Sequence, residues 1–127
     1  MTESNRAGRP LTPLQQAILD HLWRRGPATA EAIREALAAR HPLKDSSVRT
    51  LLRRLEARGY LRHDHEGKAF VYRAAVPARR VAAKAVREIV DRFCSGSLEQ
   101  FLVGMVDERL VSPVELERLA RKVRRRR

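Results

Sequence analysis

Basic and hydroxyl side chains recur at helical spacing between residues 44 and 54, where their chemistry suits nucleic acid. Arg49 and Arg53 are one helical turn apart, and a bidentate arginine–guanine contact gives about 1–3 kcal/mol of discrimination between bases. The serine and threonine hydroxyls suit phosphates or thymine methyl groups, and Lys44 suits a phosphate. The alternative is a solvated charged face. The predicted DNA-binding residues here are Lys44, Ser46, Ser47, Arg49, Thr50, Arg53 and Arg54.

Arg54 is the least certain member of this set because it lies toward the flank of the predicted helix. An ion pair with Asp20 or Glu56 is the alternative to DNA contact.

A second basic group flanks a predicted β-hairpin, in which residues 60–65 and 68–73 are joined by a Glu66-Gly67 turn. We predict that Arg62 and Lys68 contact DNA from this hairpin. For His63 and His65 the sequence does not decide between DNA contact and simple exposure. The two histidines also form a two-residue metal-binding pattern. With no cysteine or third histidine nearby in the sequence, that metal signal is weak, and we expect no metal and no cofactor.

Three helices must hold these side chains in place. Thr12, Pro13 and Gln15 predict a capping box for the first helix, and Thr29 predicts the cap of the second. Asp45 or Ser46 is expected to cap the third, which Gly59 stops. The apolar side of that third helix consists of Val48, Leu51, Leu52 and Leu55. Helix, helix, helix and hairpin is the winged-helix order, so we predict a mainly α fold with a small β-hairpin wing.

Three further amphipathic helices are predicted after the hairpin. Pro77 opens one, Ser97 and Gln100 form a capping box for the next, and Ser112 with Glu115 form another for the last. So short a chain cannot easily bury all three apolar stripes internally, which favours pairing with a second copy. An intrachain core is the alternative. The predicted dimerisation residues are Val86, Ile89, Val90, Phe93, Leu98, Phe101, Leu102, Met105, Leu116 and Leu119.

The positive charge is unevenly distributed. The 127 residues carry a formal net charge of +12. Residues 1–75 contribute +6, residues 76–120 are balanced, and residues 121–127 contribute the remaining +6. We therefore predict a flexible N-terminus (1–10), a DNA-binding domain (11–75), a helical dimerisation region (76–120) and a basic tail (121–127). The tail suits non-specific DNA attraction, a disordered solubility tail or an anionic partner.

Composition also argues against several classes of protein. No apolar run approaches the roughly 20 residues of a membrane span, and the first residues lack a signal-peptide pattern, so a cytoplasmic protein with no membrane partner is expected. Cys94 is the one cysteine, and it suits a small buried or interfacial hydrophobe better than a redox switch. No phosphate loop, metal cluster or nucleophile–base pattern indicates an enzyme.

Four segments resemble the BlaI/MecI/CopY penicillinase-repressor family of winged-helix regulators. They are LTPLQQAILDHLW (11–23), GPATAEAI (26–33), SVRTLLRRLEARGYL (47–61) and EGKAFVY (66–72). The resemblance implies a homodimeric transcriptional repressor on a palindromic DNA operator, with a regulatory protease as a further partner in some members. An RNA- or ribosome-associated winged-helix module is the alternative function.

The chain departs from that family at several positions. Gly104-Met105 stands where protease-responsive members have an Asn-Phe bond, and Cys94 alone cannot replace the cysteine pairs of copper-responsive members. Gln15 and Gln16 occupy positions where the family usually has Glu and Trp. The terminal arginines are outside the family pattern.

Overall fold

This computed structural model describes residues 9–126 of the chain, so most of the predicted flexible N-terminus lies outside the described residues. The described part is mainly α-helical with one small antiparallel sheet, which confirms the predicted fold class. The helices are α1 (Pro13–Arg25), α2 (Ala30–Leu37), α3 (Asp45–Ala57), α4 (Ala78–Phe93), α5 (Leu98–Asp107) and α6 (Pro113–Arg125). The strands are β1 (Ala28–Thr29), β2 (Leu61–Glu66) and β3 (Ala69–Ala74).

The chain divides into two compact units, one extending to Ala82 and the other beginning at Ala83. The first unit has a continuous core built by α1, α2, α3 and the sheet. Burying one Leu or Ile side chain contributes roughly 1.5–3 kcal/mol, so this core is what holds α3 in place. Its members are Ile18, Leu19, Leu22, Ala30, Ile33, Val48, Leu52, Leu55, Leu61 and Tyr72.

The first two helices begin as predicted. At α1 the Thr12 hydroxyl accepts from Gln15 N (3.1 Å), and the Gln15 side chain accepts from Thr12 N (3.0 Å). At α2 the Thr29 hydroxyl accepts from Ala32 N at 3.1 Å. These bonds satisfy amide groups that the first turn of a helix leaves unpaired.

The start of α3 differs from the prediction. Lys44 is the N-cap residue and makes no side-chain capping bond, so the expected cap at Asp45 or Ser46 is wrong. Asp45 is instead the first helical residue. Its carboxylate bonds to Arg49 and interacts favourably with the positive end of the helix dipole. The end of α3 follows expectation: Gly59 has φ +88°, and Tyr60 N donates to Leu55 O at 3.0 Å.

The sheet has the order β1-β3-β2, and the two-residue strand β1 was not predicted. The hairpin turn also differs by one residue. Glu66 pairs with Ala69 as the last cross-strand pair, so the turn residues are Gly67 and Lys68 instead of Glu66 and Gly67. Gly67 has φ +63°, a left-handed conformation that glycine adopts without the steric cost other residues meet.

The second unit contains most of α4 together with α5 and α6. Ser97 caps α5 by accepting from Gln100 N, but Ser97 N donates to Cys94 O at 2.9 Å, so the reciprocal half of the predicted capping box is absent. At α6 both halves of the box between Ser112 and Glu115 are present. Helix α6 continues to Arg125, so the predicted basic tail begins inside it.

Half-buried Cys94 follows the last residue of α4. Among residues 9–126, no helix is both long and apolar enough to cross a membrane.

Candidate nucleic-acid interface

Helix α3 separates an apolar side from a polar side, as its sequence predicts. Val48, Leu52 and Leu55 are completely buried in the core of the first unit. Ser46, Arg49, Thr50 and Arg53 project from the other side of the helix, where only Thr50 is partly covered. A rigidly seated helix with an exposed polar side has the form needed to enter a DNA major groove.

Arg49 is held in place by a neighbour that was not assigned to the site. Its Nε donates to Asp45 Oδ2 at 2.9 Å, one helical turn away, and both side chains are more than half exposed. This hydrogen bond and the charge of Asp45 raise the pKa of Arg49 above its ordinary value. The bond uses Nε, so it fixes the direction of the guanidinium while its terminal nitrogens remain suited to contact a base.

The hydroxyl groups of the predicted site differ in availability. The Thr50 hydroxyl donates to Ser46 O at 2.9 Å, so its proton is used within the helix. Its oxygen still accepts, and its methyl group suits an apolar contact with thymine. Ser46 is exposed and Ser47 is half-buried, while exposed Lys44 precedes the first turn.

Arg54 lies on a different flank of α3 from Arg49. It lines a depression of about 500 Å³ together with Arg9, Thr12, Gln15 and Arg58. Its suggested ion pairs are both absent within residues 9–126. Asp20 instead accepts from Gln16 Nε2 at 3.0 Å, and the carboxylate of Glu56 bonds to His63.

The hairpin is attached to α3 through Glu56 and His63. His63 Nδ1 lies 2.8 Å from each carboxylate oxygen of Glu56, and both side chains are about two-thirds buried. The His63 ring also stacks on Phe70, with ring centroids 4.4 Å apart, and His65 meets the edge of the same cluster. The Nδ1 of His63 is therefore hydrogen-bonded to a carboxylate. Within residues 9–126, no group of three or more His, Cys, Asp or Glu side chains is placed to hold a metal ion.

Tyr72 brings this cluster close to the arginine side of α3. Its side chain is buried in the core, and burial raises its pKa, with the nearby carboxylate of Glu56 adding to the rise. The positive charges of Arg49 and Arg53 partly offset this rise by lowering the pKa of Tyr72. Both arginines thus lie on the side of α3 that faces the hairpin.

The other predicted hairpin residues lie in exposed positions. Lys68 occupies the turn, and Arg62 is exposed on β2. Arg73 donates from Nε to Asp64 Oδ2 at 2.8 Å, so one acidic residue of the hairpin is neutralised internally. The tip and edge of the hairpin therefore present positive groups on an element attached to α3.

The predicted dimerisation residues show a range of exposure in the second unit. Phe93 is 72% exposed, and Ile89, Leu98, Leu102 and Leu119 are each between 40% and 45% exposed. The side chains of Val86, Phe101, Met105 and Leu116 are half-buried. Val90 is completely buried within its own chain, so it does not lie on an exposed surface as its predicted role in dimerisation required. Leu98, Leu102 and Leu116 border an apolar groove of about 500 Å³.

Sequence reasoning missed the positioning roles of Asp45 and Glu56. Each is an acidic residue within an otherwise basic helix, four and seven positions before its partner. The spacing of Asp45 and Arg49 was a usable signal, because residues four apart face each other on a helix. The bond between Glu56 and His63 crosses the Gly59 turn, so no helical periodicity indicates it.

The fold and the exposed face of α3 define a winged helix-turn-helix regulator. The penicillinase repressor family model matches residues 11–125, and the chain belongs to that family. Transcriptional regulator BlaI from Mycobacterium tuberculosis is 35% identical over 100 residues, covering 76% of this chain and 72% of the relative. Methicillin resistance regulatory protein MecI from Mammaliicoccus sciuri is 22% identical over 102 residues, and the match covers 80% of this chain and 83% of the relative.

A solved structure with a similar fold comes from Mycobacterium bovis. It is a homodimeric winged helix-turn-helix DNA-binding domain, described as a possible ArsR-family transcriptional regulator. It is 26% identical with a TM-score of 0.53, and the match covers 72% of this chain and 80% of that one.

Proposed function

We propose that this protein represses transcription by binding a palindromic DNA operator as a homodimer. The observation that carries the proposal is the exposed side of α3, where Ser46, Arg49 and Arg53 project from a helix seated on a rigid core. Arg49 and Arg53 contact base edges, and Arg54 together with Lys44 contacts phosphates. Arg62 and Lys68 of the hairpin contact the adjacent backbone. Ser47 and Thr50 supply further phosphate or thymine contacts.

Dimerisation is supported by the distribution of apolar surface. Among residues 9–126, nine of the ten large hydrophobic residues that are exposed lie from α4 onward, and Phe70 is the exception. The first unit has a buried core of its own, whereas the second exposes apolar side chains on all three of its helices. Exposed apolar surface of this kind is typical of a protein–protein interface. A second copy of the chain is the partner we propose, in keeping with the homodimeric relative.

Repression follows if the bound dimer blocks access to a promoter. A regulatory protease is a further proposed partner from the family resemblance. Its expected position, Gly104-Met105, lies within α5, where both residues are half-buried, so cleavage there requires local opening of that helix.

Selection from a random duplex library tests this function directly. The full chain should enrich an inverted repeat whose half-sites are separated by about 10–10.5 base pairs or a multiple of that spacing. The same selection with random structured RNA serves as the comparison, because an RNA-binding module is the competing function. Enrichment of an RNA motif, with no motif among the duplexes, would contradict the proposal.

A further inference from the structure

The C-terminal half of α6 has a concentrated positive face. This face is separate from the α3 surface that is proposed to bind the operator. Arg118, Arg121, Lys122 and Arg125 are all exposed. At 100° per residue they fall within roughly 100° of one another around the helix axis. Among residues 9–126, these four cations take part in no salt bridge. We name these four residues the α6 cationic face.

An apolar stripe of α6 lies on the opposite side of the helix, whereas exposed Val114 lies toward the cationic side. Leu116, Leu119 and Val123 form this stripe, and Leu116 lines a groove with Leu98 and Leu102 of α5. The acidic residue of the first turn is also occupied, because the Glu115 carboxylate accepts from Ser112 N at 2.9 Å. The cationic face is therefore separate from the apolar stripe. Hydrogen bonds with Ser112 and, to a smaller extent, the charge of Arg118 lower the pKa of Glu115, so Arg118 is the member of the face with an acidic neighbour.

We propose that the α6 cationic face binds the phosphate backbone of duplex DNA without regard to sequence. The four cations extend over seven residue steps, which is about 10 Å along a helix at 1.5 Å per residue. DNA offers one phosphate charge per roughly 1.7 Å of its axis, so several phosphates are available over that length. The charge and its spacing thus fit a regular polyanion.

A lipid surface fits this helix less well. Helices that lie in a membrane interface insert a free apolar side, commonly with aromatic residues. Helix α6 contains no aromatic residue, and its apolar stripe includes Leu116 of the α5 groove.

The proposal rests on the proposed function, because the operator-reading unit is joined to α6 in one chain. Once α3 has bound its site, contact between α6 and the same DNA is intramolecular, because both helices belong to one chain. The α6 cationic face would then raise affinity for every duplex and leave the preference among sequences unchanged. Its effect appears in the salt dependence of binding.

The test compares full-length variants at several salt concentrations on a selected operator and on a non-operator duplex. Arg121→Gln, Lys122→Gln and Arg125→Gln are combined in one chain. Loss of three phosphate contacts lowers the slope of log affinity against log salt by about 2.7, so the advantage of the parent shrinks roughly 40-fold between 50 and 200 mM salt. The loss should be equal on both duplexes.

Two controls separate the charge of the face from other effects. Arg87→Gln, Arg92→Gln and Arg109→Gln remove the same charge from exposed positions elsewhere in the second unit. Arg121→Lys with Arg125→Lys keeps the charge on the face and should keep the parent slope.

Equal salt slopes for the two glutamine triples would overturn the proposal. It would also be overturned if the Arg121, Lys122 and Arg125 triple lost binding to anionic vesicles while its binding to duplexes stayed unchanged. The parent's operator preference, measured in the same titrations, reports the proposed function independently. If that preference is present and the slopes are equal, only the role of α6 fails.

Discussion

At the scale of single residues, Asp45 is expected to have two opposing effects on DNA binding. It repels phosphate by its charge, and it orients the guanidinium of Arg49 through a 2.9 Å bond. Asp45→Asn should therefore raise affinity for non-operator DNA severalfold and lower the ratio of operator to non-operator affinity. Titrations of both duplexes at one salt concentration measure the two quantities.

Asp20→Asn is the matched control, because Asp20 belongs to α1 and bonds to Gln16. It removes the same charge from the first unit without touching the α3 site, so the affinity ratio should stay at the parent value. A higher ratio in Asp45→Asn would show that the Asp45–Arg49 bond competes with base contact instead of preparing it.

The exposure of the proposed recognition residues could be predicted from the sequence, but their hydrogen bonding could be predicted only in part. Helical periodicity places Val48, Leu52 and Leu55 in the core, which leaves Arg49 and Arg53 outside. The same periodicity does not reveal that the Thr50 hydroxyl donates to Ser46 O, since serine and threonine choose between solvent and backbone partners locally.

At the scale of elements, the Glu56–His63 bond links the wing to α3. Glu56→Ala and His63→Ala, singly and combined, should give a coupling of about 0.5–1 kcal/mol in the free energy of unfolding, because the pair is only partly shielded from solvent. Each single variant should also weaken binding to all duplexes, because the wing is proposed to contact the DNA backbone. Chemical denaturation and DNA titration provide the measurements.

The Asp64–Arg73 pair is the internal control for this prediction. It joins the two hairpin strands at 2.8 Å and is not part of the Glu56–His63 bond. Asp64→Asn combined with Glu56→Ala should therefore give additive losses of stability. A Glu56–His63 coupling near zero would mean that packing of Tyr72 and Leu61 alone holds the wing.

Prediction of the elements succeeded where local residues determine the structure. The boxes at Thr12 and Ser112 satisfy their own helix starts, so three or four residues suffice to indicate them. Strand β1 was missed because it consists of two residues and is defined by pairing with β3, which lies far away in the sequence, for example between Ala28 and Tyr72. The hairpin turn was displaced because cross-strand register decides which residues flank Gly67.

At the scale of the whole molecule, the second unit is expected to hold two chains together. Leu102→Glu places a charge beside the apolar groove of α5 and α6, so the dimer should dissociate to monomers and affinity for paired half-sites should fall by at least about tenfold. Sedimentation velocity measures the assembly, and circular dichroism checks that the chain remains helical.

Val114→Glu is the matched control for the dimer. Val114 is also apolar, exposed and in the second unit, but it belongs to neither the groove nor the predicted dimerisation residues. This variant should remain dimeric. Dissociation by Val114→Glu with an intact Leu102→Glu dimer would relocate the interface to the opposite side of α6.

The exposure of the second unit illustrates what a sequence conceals at this scale. Its balanced charge and apolar stripes predicted an interface, but periodicity alone gave Val90 and Phe93 equal standing. In the folded chain Val90 is fully buried and Phe93 is 72% exposed. Only the tertiary packing of the chain distinguishes a side chain that supports the surface from one that forms it.

The most direct measurement of the central claim is the ratio of operator to non-operator affinity in Arg49→Ala, with Lys44→Ala beside it. If the exposed face of α3 reads DNA sequence, Arg49→Ala should lower that ratio by at least about tenfold, whereas Lys44→Ala should weaken both duplexes equally and reduce the salt slope by about 1. An unchanged ratio in Arg49→Ala would contradict the assignment of this face as the sequence-reading surface.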